Sequence, residues 1–119
     1  MNTTGVEKVI IVEGVTDKKQ VEKVIAEQAT VLCTHGTFDV ERFDELLEYY
    51  ALDDKDVYIL VDEDEPGMKL RKQLLRELPH ATNIHIHEGY KEVAETPVNV
   101  LATILVGYHF QVDPRYLLI

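Results

Sequence analysis

The chain is poor in several features that would narrow its function quickly. Its single cysteine, Cys33, excludes an internal disulfide, and a reduced, cytoplasmic setting is expected. No uninterrupted apolar stretch approaches the roughly 20 residues that span a bilayer, so no membrane association is expected. The opening residues, MNTTGVEKVIIVEG, lack both a basic start and a small-residue cleavage site, so no secretory signal is expected. Repeats, low-complexity tracts and linkers are also missing. Positive charge is scarce: 12 Lys and Arg stand against 22 Asp and Glu, a net charge of −10. The overall field therefore opposes a polyanion. Any nucleic-acid role must be local, through a basic stripe or bound cations, or must depend on a partner protein. Solubility is the ordinary alternative reason for such acidity.

What is present is an alternating pattern. The 119 residues, 45% of them apolar, are enough for one domain with a real core. KVIIVEG is a short β-branched run ending in Glu13 and Gly14. TDKKQVEKVIAEQ follows with helical spacing, its Val21, Val24 and Ile25 on one face and Thr16 or Asp17 as cap. ATVLCTHG reads as a second strand stopping at Gly36. DVERFDELLEYY is a second amphipathic helix capped by Asp39, with Val40, Phe43, Leu46, Leu47 and Tyr50 inward. DVYILVD is a third strand, and GMKLRKQLLREL a third helix with Leu70, Leu74 and Leu78 inward and Pro66 at its start. TNIHIHE alternates as a fourth strand. After Thr96 and Pro97, VNVLATILVGYHF keeps helical spacing, and QVDPRYLLI reads as a short helical turn or docked tail.

Strands alternating with helices predict an α/β fold: a mainly parallel four-stranded sheet, helices on both faces, and a C-terminal helix. The continuous apolar strands agree, because parallel strands are covered on both faces. The core is expected over about 7–88 and the helical extension over about 96–119, all within one domain.

In such a sheet, sites form outside the carboxyl ends of the strands, which share one edge. Glu13 ends the first strand and Asp62 the third, with Asp64 two residues on. Residues 62 to 65 are four consecutive acids, Asp62, Glu63, Asp64 and Glu65, at the end of an apolar strand. Converging carboxylates repel by several kcal/mol per close pair at intermediate dielectric. Protonation relieves this, and so does a hard divalent cation such as Mg²⁺, which takes oxygen ligands. The Asp-x-Asp spacing on extended backbone puts Asp62 and Asp64 on one side and turns Glu63 to the other. An acidic run after a strand is equally a solvated turn, with Asp62 or Glu65 capping the third helix.

Two segments in this order, VIIVEGVTDKKQVEKV and VYILVDEDEPGMKLRKQL, resemble the paired motifs of the Toprim domain family. That family includes primases, topoisomerases, OLD-type nucleases, a recombination-repair protein and the maturase of bacterial five-S ribosomal RNA. The THGT segment at 34–37 and DEDEPGMKLR look closest in style to the maturase and primase-like branch. The resemblance implies a Rossmann-like domain binding Mg²⁺, with Mn²⁺ as a substitute, and acting on nucleic-acid phosphodiester bonds as a nuclease or nucleotidyl transferase. It implies Glu13 as catalytic acid or base, and Asp62 and Asp64 as metal ligands, with Glu13 a further ligand if a second ion binds. Gly14 matches the glycine that lets backbone approach substrate, and Asp17 an acid that often follows. The extra domains that usually grip nucleic acid or supply a nucleophile have no counterpart, and none of the six tyrosines has a nucleophile context. Topoisomerase or primase activity by this chain alone is therefore not expected.

Among basic residues, Lys69, Lys72 and Arg76 fall on one face of the third helix. Lys69 and Arg71, nearest the acids, are candidate phosphate contacts, and so is Lys18, which with Lys19 opens the first helix. His85 and His87 share a strand face with zinc-compatible spacing but no third ligand nearby. His35 reaches toward the site edge, and Cys33 reads as inert core. Two other readings stand beside the enzyme. One is a non-catalytic binding or regulatory module working with a partner protein. The other is a receiver-like domain, which needs a strand-ending lysine that the sequence lacks.

Overall fold

A computed structural model describes residues 6–35, 39–86 and 89–117. The expectations for Gly36, Thr37, His87 and Glu88, and for the side chain of Val40, fall outside what it describes. The elements run β1 (Lys8–Val12), α1 (Val15–Val24), β2 (Ala29–Cys33), α2 (Val40–Tyr49), β3 (Asp56–Ile59), α3 (Glu65–Glu77), β4 (Thr82–Asn83) and α4 (Val98–Gly107). Short 3-10 turns occupy Leu52–Asp54 and Pro114–Leu117. All strand pairs are parallel, in the order β2-β1-β3-β4.

That order follows from the hydrophobic period. In β1, Ile10 and Val12 turn to one face of the sheet and Val9 and Ile11 to the other, all essentially buried. The first face is covered by Val21 and Val24 of α1 and by Leu101, Ala102, Ile104 and Leu105 of α4. The second is covered by Phe43 of α2 and by Leu70, Leu74 and Leu78 of the α3 segment. The chain steps from β1 outward to β2, then returns across β1 to β3. Right-handed crossovers put α1 on one face and α2 and α3 on the other for this reason. The reversal makes the crevice between the ends of β1 and β3 the topological switch point.

The helix boundaries reflect local chemistry. Asp39 caps α2 as its sequence predicts, its Oδ1 accepting from the backbone N–H of Glu41 and Arg42 at 3.0 and 3.4 Å. Helix α1 begins one residue earlier than expected, capped by Gly14, and ends at Val24 instead of running on to Gln28. Asp17 sits at the third helical position, where Oδ2 accepts the Gly14 N–H at 3.0 Å, the reciprocal half of a capping box. The third helix starts at Glu65, and its cap is Asp64, neither Asp62 nor Glu65. Helix α4 stops at Gly107, short of Phe110. The reason is a left-handed His109, φ 70°, which lets Phe110 N–H reach back to Leu105 O at 3.0 Å.

Strand β4 is two residues long, not the seven of TNIHIHE, although Ile84 N–H still donates to Ile59 O at 2.8 Å. Beyond Ile84 no further ladder bond forms among the described residues, so the alternating run leaves the sheet. The tail docks on the end of α1. Ala26 N–H donates to Gln111 O at 2.9 Å, Asp113 N–H to Val24 O at 2.8 Å, and Ile25 pairs antiparallel with Val112. Among the described residues no helix is long and apolar enough to cross a membrane.

Candidate metal centre

The switch point brings Glu13, Asp62 and Asp64 together. One oxygen from each lies within 4.8 Å of the others. Glu13 is the first residue past β1, and Asp62 lies on the extension of β3, whose Leu60 N–H still pairs with Ile11 O at 2.9 Å. Parallel pairing of β1 with β3 is what closes the distance between residues so far apart in sequence.

Backbone donors fix each carboxylate in turn. Glu13 Oε1 accepts the Asp62 N–H at 3.1 Å. Asp62 Oδ1 accepts the Val93 N–H at 2.9 Å. Asp64 Oδ1 accepts the Gly67 N–H at 2.8 Å. One oxygen of each group is thereby engaged, and among the described residues the other accepts no hydrogen bond. Gly67 is required by this packing: a Cβ there would lie 2.0 Å from the Asp62 carbonyl oxygen and 3.0 Å from Asp64 Oδ1. Gly14 differs. Its φ is −129°, and a Cβ would meet only Asp17 Oδ2 at an ordinary 3.6 Å. Among the described residues nothing demands a glycine there.

The electrostatics are those of a site short of positive charge. Burial raises the pKa of Glu13; the Asp62 N–H opposes this, and the neighbouring Asp62, Asp64 and Asp17 reinforce it. Burial likewise raises Asp62, against the Val93 hydrogen bond and with the charges of Asp17, Asp64 and Glu95. Asp17, itself buried, is raised by burial and partly restored by Gly14. A hard divalent cation removes this repulsion, and an all-carboxylate oxygen set fits Mg²⁺ or Mn²⁺ without nitrogen or sulfur donors.

Glu63 belongs to a different cluster. Its Oε1 accepts from Arg71 Nη2 at 3.3 Å and from His85 Nδ1 at 3.0 Å. Arg71 is not an exposed phosphate contact, as its place in a basic helix suggested. It is 6% exposed, and its guanidinium donates to Asn83 Oδ1 at 3.0 Å and to the Ile84 carbonyl at 3.1 Å. Longer contacts of 3.4 Å reach the carbonyls of Ile59 and Val61. Burial lowers its pKa, which Glu63 partly offsets, and a guanidinium keeps its charge in either case. Arg71 thus ties the carboxyl ends of β3 and β4 together beneath the acidic loop. Its neighbours Lys69, Lys72 and Arg76 are exposed on α3, and Lys18 is half-buried on α1.

Other residues depart from the sequence reading or were missed by it. The segment after β4 returns over the site, anchored by the fully buried Val93. It adds Glu92 and Glu95 to the acidic rim; Glu92 is raised chiefly by Glu95, and more weakly by Asp62 and Asp64. No motif marks these residues, because their place depends on where an irregular segment folds back. His85 is engaged by Glu63, while His87 lies outside the described residues, and Glu13, Asp62 and Asp64 form the candidate metal cluster found among the described ones. Cys33 is half-buried, not core; its Sγ donates to the Gly14 carbonyl at 3.3 Å.

An open parallel sheet with three carboxylates at its switch point defines a Rossmann-like domain with a candidate divalent-metal centre. The model of the Toprim domain matches residues 8–95, and the chain belongs to that family. Toprim domains commonly bind a divalent metal, usually Mg²⁺, in nucleic-acid enzymes. The chain is 45% identical over 117 residues to the protein YusF of Bacillus subtilis (strain 168), covering 98% of this chain and 79% of that one. A solved small TOPRIM domain protein from Bacillus stearothermophilus superimposes with a TM-score of 0.87 at 43% identity, covering 95% of this chain and 94% of that one.

Proposed function

We propose that this protein carries out Mg²⁺-dependent phosphodiester chemistry on nucleic acid, of the nuclease or nucleotidyl-transfer type. The observation that carries this reading is the set of three carboxylates, each pinned by one backbone N–H and each with an oxygen to spare. Asp62 and Asp64 would hold the ion, and Glu13 completes the oxygen set. A bound Mg²⁺, or Mn²⁺ in its place, supplies Lewis-acid stabilisation of charge on a phosphate oxygen. Glu13 is suited to hold or release a proton at its free oxygen, because its surroundings favour the protonated form more than water does. Gly14, next to that carboxylate, is the position at which backbone would approach a sugar-phosphate chain. Lys18 and the exposed Lys69 are the cations nearest in sequence for phosphate contact, whereas Arg71 acts as an internal brace.

The test is cleavage of single- and double-stranded DNA and RNA with Mg²⁺, Mn²⁺ and EDTA. Metal-dependent turnover that vanishes in the protein carrying both Asp62→Asn and Asp64→Asn is expected. Undiminished activity in that double variant overturns the assignment.

A second reading, a non-catalytic module acting with a partner protein, draws on the net charge of −10 and on Val106, 44% exposed on the outward side of α4. It predicts metal binding without turnover on any of these substrates, together with a stable partner recovered by affinity capture. Either role suits a reducing compartment, since the single thiol of Cys33 has no partner cysteine in the chain.

A further inference from the structure

Away from the carboxylates, a groove of about 440 Å³ runs over the outer edge of β2. One wall is α1, with Val15, Lys18, Lys19 and Glu22; the other is α2, with Arg42, Leu46 and Tyr50. Val31, Leu32 and Cys33 form the floor and His35 stands at the mouth. The charge here is inverted relative to the molecule. Lys18, Lys19 and Arg42 face a single acid, Glu22, in a chain of net charge −10. Among the described residues none of these three cations forms an ion pair. Elsewhere among the described residues Lys8, Lys55, Arg71 and Arg115 are paired with acids; Lys23, Lys69, Lys72, Arg76 and Lys91 are not, but none of these lines the groove. Unpaired cations on both walls of one groove, in a protein with acids to spare, match an anion supplied from outside.

The groove also adjoins the metal centre. Cys33 on its floor is bonded to the carbonyl of Gly14, the residue next to Glu13. Lys18 follows Asp17, whose carboxylate holds the Gly14 N–H. A polymer leaving the carboxylates on the β2 side passes between Lys18 and Lys19 on one wall and Arg42 on the other. Tyr50 and Leu46 offer aromatic and aliphatic surface, which only an unstacked base can reach.

We infer that this groove binds the backbone and an unstacked base of single-stranded nucleic acid, and leads the strand to the carboxylate centre. The inference deepens the catalytic reading above and rests on it for the direction of the strand. An acidic peptide pairing with the open edge of β2 is the competing occupant. The cations on both walls and the path to Gly14 favour the polynucleotide.

The experiment measures fluorescence anisotropy of labelled oligothymidylate and oligouridylate at low salt, with EDTA present so that metal plays no part. Three proteins are compared: the wild type, the variant Lys19→Glu with Arg42→Glu, and the charge-matched control Lys72→Glu with Arg76→Glu on α3. All four positions are exposed, so the fold is retained. The wild type is expected to bind single strands more tightly than the corresponding duplex. The groove variant should bind at least about tenfold more weakly than the control, with a salt slope smaller by about 1.4, the value for two lost phosphate contacts on a single strand. Saturating oligonucleotide should also slow alkylation of Cys33 in the wild type. No binding by the wild type, equal binding of duplex, a groove variant matching the control, or unchanged Cys33 alkylation each overturns the inference.

Cleavage separates the two readings. If oligonucleotides bind in the groove but are never cut with Mg²⁺, the catalytic reading falls and the groove stands. If metal-dependent cleavage proceeds equally in the groove variant, the groove falls and the catalytic reading stands.

Discussion

At the scale of single residues, the acidic centre is a place where the fold holds charge it would otherwise repel. Glu13 and Asp62 both have pKa values raised from those of ordinary carboxylates, mainly through burial. The sign follows from linkage. A carboxyl group raised in the folded state binds its proton more tightly there than in the unfolded chain, so the folded protein loses stability as pH rises through the interval between the two values. Below the ordinary carboxylate range that penalty is absent; above the raised values it is complete. At neutral pH in EDTA, Glu13→Gln and Asp62→Asn are therefore expected to raise the Tm by a few degrees. Both amides keep the oxygen that accepts from Asp62 N–H and Val93 N–H, so only the charge is removed. Mg²⁺ should raise the Tm of the wild type with increasing concentration and leave these variants nearly unmoved, as thermal scans with and without metal would show. A lower Tm for both amide variants in EDTA would mean that the carboxylates are stabilised by something other than a cation. These three acids were legible in the sequence because strand ends share an edge. Their hydrogen bonds were not, since Val93 lies in a segment with no local pattern.

At the scale of elements, Asp64 caps α3 and, in the proposed reading, also offers an oxygen to the ion. Asparagine can cap but brings no charge, and alanine does neither. Asp64→Asn is expected to lose metal-induced stabilisation while keeping metal-free stability, whereas Asp64→Ala should lose about 1 kcal/mol besides, measured by urea denaturation in EDTA. Arg71 is the other element-scale device. Its guanidinium bridges the ends of β3 and β4 and neutralises Glu63, which in turn holds His85. Arg71→Met leaves those carbonyls and Glu63 without their donor, so a loss of about 2–4 kcal/mol is expected. An Arg71→Met protein of unchanged urea midpoint would return the residue to the exposed phosphate-contact role that its sequence position suggested. Helical spacing could not distinguish Arg71 from Lys69 and Lys72, because a long basic side chain on a face boundary goes inward only if acceptors wait there. Those acceptors belong to strand ends that the sheet brings beneath α3.

At the scale of the whole molecule, one thin sheet serves two cores. Ile10 and Val12 belong to the cluster under α1 and α4, while Val9, Ile11 and Val61 belong to the one under α2 and α3. Neither face can be lost without exposing the strands that the other face covers. Thermal unfolding followed by far-ultraviolet circular dichroism and by tyrosine fluorescence should therefore give coincident, single transitions. Separate midpoints would show that α4 and the docked tail unfold on their own. The net charge of −10 is also a whole-molecule property, and it conceals local structure. Glu13, Asp62 and Asp64 gather at the switch point, and Lys18, Lys19 and Arg42 line the groove along the β2 edge.

The sequence by itself determined the alternation of elements, the parallel sheet and the identity of the three acids at its edge. These follow from hydrophobic period and chain direction, which are local and cumulative. Only the tertiary structure decided that Asp64 rather than Asp62 caps α3, that β4 stops after two residues, and that Arg71 turns inward. It also decided that Glu92 and Glu95 return to the acidic cluster of Glu13, Asp62 and Asp64. Each of these depends on a hydrogen bond or a charge between segments far apart in the chain, and such partners exist only once the strands are laid side by side.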